Sequence, residues 1–198
     1  MIMARRKNAE HQLPTTGQIE NELQRERKNR RFGSLLRSTI YILVTVAAFA
    51  ILVATIFLPV MRIYGSSMVP TLNEGEIVVG LKGAKFEKGD IIAFYYNNKV
   101  LVKRVICGPG DWITIREDGT VVVNGEIIEE PYLIDKAFGI CDLEFPYQVP
   151  ASQYFVMGDQ RTVSVDSRSS TVGCISEEQI VGRIVFCVWP LKAIRSVH

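Results

Sequence analysis

From Ser38 to Val60 the chain reads STIYILVTVAAFAILVATIFLPV, 23 residues without a charge. At about 1.5 Å per residue a helix of that length crosses a hydrocarbon core of about 30 Å. A secretory leader has a shorter apolar core and ends on a small-residue cleavage triplet. This run is longer and ends on Phe57, Leu58, Pro59 and Val60, so it reads as an uncleaved transmembrane anchor in a lipid bilayer. The chain then divides into a tail (1–37), the anchor (38–60) and a domain (61–198) large enough for its own core.

The formal net charge of +2 hides an asymmetry. Residues 1–37 carry nine Lys/Arg (Arg5, Arg6, Lys7, Arg25, Arg27, Lys28, Arg30, Arg31, Arg37) against four Glu, whereas residues 61–198 carry 14 basic and 17 acidic residues. Basic flanks stay on the cytoplasmic side, which predicts a cytoplasmic N-terminus and an extracytoplasmic 61–198. The excess sits on the tail and not on the domain, which argues against nucleic acid as a partner. The tail has no core-forming run and is expected to be disordered or loosely helical. Arg25–Arg37 reads as a solvated flank, with a basic segment on an anionic membrane surface as the alternative.

Beyond the anchor the pattern is β. Glu76–Leu81 and Asp90–Tyr96 are short apolar runs, and Asn97-Asn98 turns the second into Lys99–Ile106. Trp112–Ile115, Thr120–Val123 and Glu126–Ile128 are joined by Asp118-Gly119 and Asn124-Gly125, strong hairpin signals between β-branched runs. Residues 129–150 read as loop or weak strand, Tyr154–Met157 and Ile180–Val188 as strands, and Ser176–Gln179 as a helical turn. No internal repeat and no low-complexity tract is found.

Three stretches carry chemistry. Gly65-Ser66-Ser67-Met68-Val69-Pro70 is turn material that also presents two hydroxyls. Lys103 and Arg104 sit together in the apolar run Val100–Ile106. Burying two cations there is costly unless each is partnered or neutralised. Arginine cannot lose its proton, so Arg104 calls for a carboxylate; lysine can, and desolvation lowers its pKa toward that of a general base. An edge-strand lysine reaching water is the alternative. Met157–Arg168 supplies two acids, two arginines and two serines after an apolar strand. It reads either as a solvated loop or as a buttress for the buried cations.

Several chemistries fall away. The two histidines are His11, in the tail, and His198, neither placed to activate Ser67, so a Ser-His-Asp triad and histidine zinc sites are excluded. Cys107, Cys141, Cys174 and Cys187 are not paired as CxxC, so no Cys₄ metal site is expected, and nothing implies a cofactor. An extracytoplasmic setting allows disulfides. At most one is expected, with Cys141–Cys174 the least implausible pairing.

In this order behind one anchor, Ser67-Met68-Val69-Pro70-Thr71-Leu72, Lys103-Arg104-Val105 with Gly108-Pro109-Gly110-Asp111, and Gly158-Asp159-Gln160-Arg161 with Ser164-Val165-Asp166-Ser167-Arg168 resemble the bacterial type I signal peptidases. These are membrane-anchored Ser/Lys serine proteases that remove signal peptides. The resemblance implies a mainly β protein: a coiled β-sheet catalytic core with a small β insertion, roughly 119–150, preceded by one N-terminal transmembrane helix. It implies Ser67 as nucleophile and Lys103 as general base, with Ser164 hydrogen-bonded to the lysine amine and Asp166 with Arg168 bracing that loop. Asp159 and Arg104 are implied as structural partners. The implied substrates are exported preproteins with small residues, typically Ala, at the first and third positions before the cut. Met68 and its neighbours are implied to meet the membrane surface.

Two positions depart from the usual pattern. Gln160 stands where Asn is common, and Gly65 where some members carry a hydroxyl that supplements the oxyanion hole. Glycine there is frequent in single-anchor members, mostly of Gram-positive lineages. Two other readings stand beside this one. A self-cleaving Ser/Lys regulator would need an Ala-Gly or Cys-Gly bond before the serine, and the chain has Cys-Gly only at Cys107-Gly108. A non-catalytic, membrane-tethered β module would tolerate loss of Ser67 or Lys103.

Overall fold

The computed structural model describes residues 15–197; His11 and His198, set aside as bases above, lie outside the described residues. The chain divides into two units, 1–52 and 53–198. Helix α1 (Thr16–Phe57) fills the described part of the first and reaches into the start of the second. It begins well before the apolar run, because residues 16–37 are rich in Leu, Glu, Gln and Arg, which lose little rotamer freedom in a helix. The stretch long and apolar enough to cross a membrane is Leu35–Phe57, three residues earlier at each end than the expected 38–60. Pro59 disfavours helical backbone at Leu58 and has no N–H to give. Val60 has already entered a strand.

The second unit holds two antiparallel sheets. The larger contains β1 (Val60–Arg62), β2 (Ile77–Leu81), β3 (Ile91–Tyr96), β4 (Lys99–Cys107), β9 (Gln153–Met157), β10 (Ile175–Ser176), β11 (Ile180–Trp189) and β12 (Arg195–Ser196). Its order is β1-β2-β11-β3-β4-β9-β10, with β12 also on β11. The smaller contains β5 (Trp112–Ile115), β6 (Val121–Val123), β7 (Glu126–Ile127) and β8 (Tyr147–Gln148), in the order β7-β6-β5-β8. It starts earlier than the expected Gly119, because β5 is its central strand and pairs with both β6 and β8. The hairpin turns are where the sequence puts them: Asn97, Asn98, Asn124 and Gly125 all take positive φ, the backbone that two-residue turns demand.

The expected β3 and β4 form the middle of the large sheet. Ile91 and Ala93 pack into one cluster with Ile63, Met68, Leu72, Val78 and Ile184. Ile92 and Phe94, on the opposite face, pack with Val105, Val156 and Ile175. Burial on both faces explains why β3 reads as continuous apolar residues and not as an alternation. A third cluster joins the sheets, with Ile106, Cys107, Phe155 and Met157 from the larger against Ile113, Ile115, Val121 and Val123 from the smaller. Met68 is 2% exposed within the first cluster. The expectation that it meets the membrane surface is therefore wrong: its flexible thioether fills the core. All four cysteines are free, so the Cys141–Cys174 pairing is not formed.

Candidate active site

Lys103 lies on β4 where the ladder to β9 ends. That ladder begins with Arg104 opposite Met157, so Lys103 and Gly158 are the first residues beyond it. Lys103 is 4% exposed, and its Nζ lies 2.7 Å from Ser67 Oγ. Burial pushes its amine below the ordinary 10.5. The carboxylates of Asp166 and Asp159 oppose that shift and the Arg168 cation adds to it; burial prevails. At 2.7 Å the same pair serves both states, the protonated amine donating to the hydroxyl and the neutral amine accepting from it.

Ser67 is half-buried in the turn after β1. Among the described residues its backbone N–H donates to no group, while its carbonyl accepts from the Gln160 N–H at 3.0 Å. Gly65, two residues earlier, has φ +80°, and a Cβ built on it would meet nothing within 4 Å. A side chain there is opposed by backbone strain and not by crowding. Gly158 is the reverse: a Cβ would run into the Ser67 carbonyl and the Ser164 hydroxyl. Only glycine lets the turn after β9 come this close to the serine.

The polar loop 158–168 is a buttress and not a solvated surface. Asp166 and Arg168 are fully buried. Asp166 Oδ2 accepts from the Gly158 N–H at 2.9 Å and from Ser164 Oγ at 2.6 Å; its Oδ1 accepts from Arg168 Nε at 2.8 Å. Arg168 donates onward to the carbonyls of Phe138 (2.8 Å) and Arg161 (3.0 Å). Ser164 thus sits where the sequence puts it, but its hydroxyl is given to Asp166 and makes no hydrogen bond to the Lys103 amine. Arg104 finds its carboxylate: Nε and Nη2 grip Asp159 Oδ1 and Oδ2 at 2.9 and 2.7 Å, and Nη1 donates to the Gly89 carbonyl at 2.6 Å. Thr71 Oγ1 also donates to Asp159, tying the serine turn to the same carboxylate.

Sequence reasoning missed Glu130 and Tyr132. Glu130 forms a fully buried ion pair with Arg161, and the Tyr132 ring lies 3.9 Å from the Arg104 guanidinium carbon. Both come from the aperiodic stretch after β7, where only the spacing of an acid and an aromatic two residues apart gave any signal.

A cleft of about 560 Å³ opens beside Ser67 and Lys103, lined by Met61–Tyr64, Met68 and Lys99–Val102. One wall follows β1, the terminal strand of its sheet. The other follows the part of β4 that β9 does not cover. Among the described residues no His/Cys/Asp/Glu group could hold a metal ion. Burial, with Asp111 next, pushes the Cys107 thiol up to about 12, so it is no nucleophile at neutral pH.

This combination of a buried amine on a serine hydroxyl, beside an elongated cleft on a β scaffold, suits acyl-transfer chemistry on an extended chain. The signal peptidase family, peptidase S26, matches residues 36–189. Signal peptidase IB of Staphylococcus aureus (strain COL) is 41% identical over 150 residues, covering 66% of this chain and 77% of that protein. Signal peptidase I of Bacillus licheniformis is 33% identical over 184 residues, covering 86% and 97% respectively. The chain belongs to this family and is a bacterial type I signal peptidase.

Proposed function

We propose that this chain is a membrane-anchored serine endopeptidase that cuts signal peptides from exported preproteins after small residues, with Ser67 as nucleophile and Lys103 as general base. The observation that carries the reading is the 2.7 Å approach of a buried lysine amine to the serine hydroxyl. Deprotonated Lys103 takes the Ser67 proton as Oγ attacks the scissile carbonyl, and the ammonium then protonates the leaving amine. Water, activated by the same amine, releases the acyl group. The developing oxyanion is met by the Ser67 N–H, which has no partner among the described residues. Asp166 and Arg168 hold the Ser164 loop behind the lysine.

The substrate enters as an extended strand along the two free strand edges of the cleft, where main-chain hydrogen bonds supply affinity. Ile63, Met68, Leu101 and Val102 narrow the space beside Ser67, which favours small apolar side chains such as Ala next to the cut. The helix Leu35–Phe57 holds the enzyme in the membrane from which such substrates emerge, with residues 61–198 on the extracytoplasmic side.

The test is cleavage of a purified preprotein by the detergent-solubilised full chain, with the new N-terminus read by mass spectrometry. Cleavage after an Ala-x-Ala-type triplet, abolished in Ser67→Ala, is the expected result. No cleavage by the wild-type chain, or undiminished cleavage by Ser67→Ala, overturns the assignment.

A further inference from the structure

The segment between β7 and β8 of the small sheet reaches the 158–168 loop through two side chains that the chemistry above does not use. Glu130 and Tyr132 follow β7, two residues apart. The Glu130 carboxylate takes Arg161 Nη1 at 3.2 Å and also binds Nη2 of the same guanidinium. The Tyr132 hydroxyl donates to Glu130 Oε1 at 3.0 Å while its ring covers Arg104 at 3.9 Å. One acid and one phenol therefore engage two of the buried arginines around the turn after β9, Arg161 and Arg104.

That turn is the one on which the serine rests. Arg161 Nε donates to the Gly158 carbonyl at 3.2 Å, and the Arg161 carbonyl accepts from Arg168 Nη2. Gly158 gives its N–H to Asp166, and Gln160 gives its N–H to the Ser67 carbonyl. From Glu130 a path runs by hydrogen bonds through Arg161 to Gly158, along the backbone to Gln160, and by one more hydrogen bond to the Ser67 carbonyl. Burial sharpens this dependence: the Glu130 and Arg161 side chains are both fully buried, so water cannot replace the carboxylate if it is lost.

We infer that Glu130 is a positioning residue for the proposed peptidase reaction. It fixes Arg161 and through it the turn that sets Ser67 against Lys103, making the segment after β7 part of the catalytic apparatus. The inference rests on the Ser67/Lys103 reading but is separable from it.

The experiment compares Glu130→Gln, Glu130→Asp and the double variant Glu130→Gln/Arg161→Met in the full chain in detergent. Each is assayed on a preprotein well below its melting temperature. Loss of positioning lowers kcat while leaving the strand-edge cleft, and hence KM, in place. Glu130→Gln is expected to lose about 100-fold in kcat with KM within about twofold. Glu130→Asp, which keeps the charge on a shorter arm, recovers part of that loss. The double variant leaves no buried charge unpaired, so it folds where the single variant fails to, yet it still lacks the Arg161–Gly158 link. Its kcat stays low.

A folded Glu130→Gln enzyme with wild-type kcat overturns the inference, and so does a double variant that turns over like wild type. Either result, with Ser67→Ala still inactive, leaves the dyad assignment standing. A wild-type chain that does not cleave fails the dyad assignment first.

Discussion

At the scale of single residues the decisive question is whether Lys103 supplies a base or only a charge. Lys103→Arg keeps the cation but offers no unprotonated nitrogen. It is expected to be as inactive on a preprotein as Lys103→Ala, with circular dichroism unchanged. Measurable turnover by the folded Arg enzyme would reduce Lys103 to an electrostatic aid. Burial lowers the amine below 10.5, so the wild-type rate should climb with pH through one ionisation below that value. The same shift has a stability consequence with a definite sign. Between the folded-state value and 10.5 the unfolded chain binds more protons at this site, so the contribution of Lys103 to stability improves as pH rises through that window. Lys103→Met should therefore raise thermal stability most on the acid side, where the wild-type chain buries a charge. The steric counterpart is Gly158→Ala, whose methyl would meet the Ser67 carbonyl and Ser164 hydroxyl. Activity loss of at least about 100-fold in a folded enzyme is the expected result. The pairing of Ser67 with Lys103 was legible through the resemblance of three motifs in order, because a serine in a Gly/Pro turn and a lysine in an apolar strand read equally well, each alone, as a plain turn and an edge-strand side chain. The partner of the Ser164 hydroxyl was not, because only the packed loop brings Asp166 Oδ2 within 2.6 Å of it.

Among the elements, β4 and the loop facing it are joined by the Arg104–Asp159 pair. Both side chains are almost wholly buried, and the bond is bidentate. Removing one partner leaves an uncompensated charge in the interior, at a cost of about 3–5 kcal/mol. Asp159→Ala should thus lower the melting temperature substantially, more than the loss of Lys88 from its half-exposed pair with Asp111. Arg104→Met combined with Asp159→Ala removes both charges, and its loss should fall short of the two single losses summed. Equal, additive losses would mean that the two residues act independently. The hairpins of β3–β4 and β5–β6–β7 were legible because Asn and Gly turns punctuate β-branched runs. Strands β1, β8, β10 and β12 were not: each is as short as β6 and β7 but has no Asn-Gly or Asp-Gly turn beside it, so pairing with a neighbour, not local propensity, makes it a strand. The buried Glu130–Arg161 pair escaped for a related reason, since no periodicity links residues 31 positions apart.

For the whole molecule, function requires that the site and its substrate meet on one side of a membrane. The 23-residue span Leu35–Phe57 has a mean hydropathy of 2.7 and is not buried against protein. Each residue of such a helix left outside lipid would forfeit apolar burial, about 0.8 kcal/mol per CH₂. Its flanks differ in charge. Eight Lys/Arg precede Leu35, whereas Arg62 is the only basic residue within 20 positions after Phe57. That contrast predicts a cytoplasmic N-terminus, because juxtamembrane Lys and Arg resist translocation. The prediction is tested in a variant with all four cysteines replaced, carrying one new cysteine at either Gln24 or Lys82, both exposed. In intact spheroplasts a membrane-impermeant thiol reagent should label the position 82 variant and spare the position 24 variant until the membrane is opened. Labelling of position 24 alone would put Ser67 on the cytoplasmic side, away from the emerging cleavage sites of exported chains. The proposed substrate class would then be untenable even with the 2.7 Å contact between Lys103 and Ser67 intact.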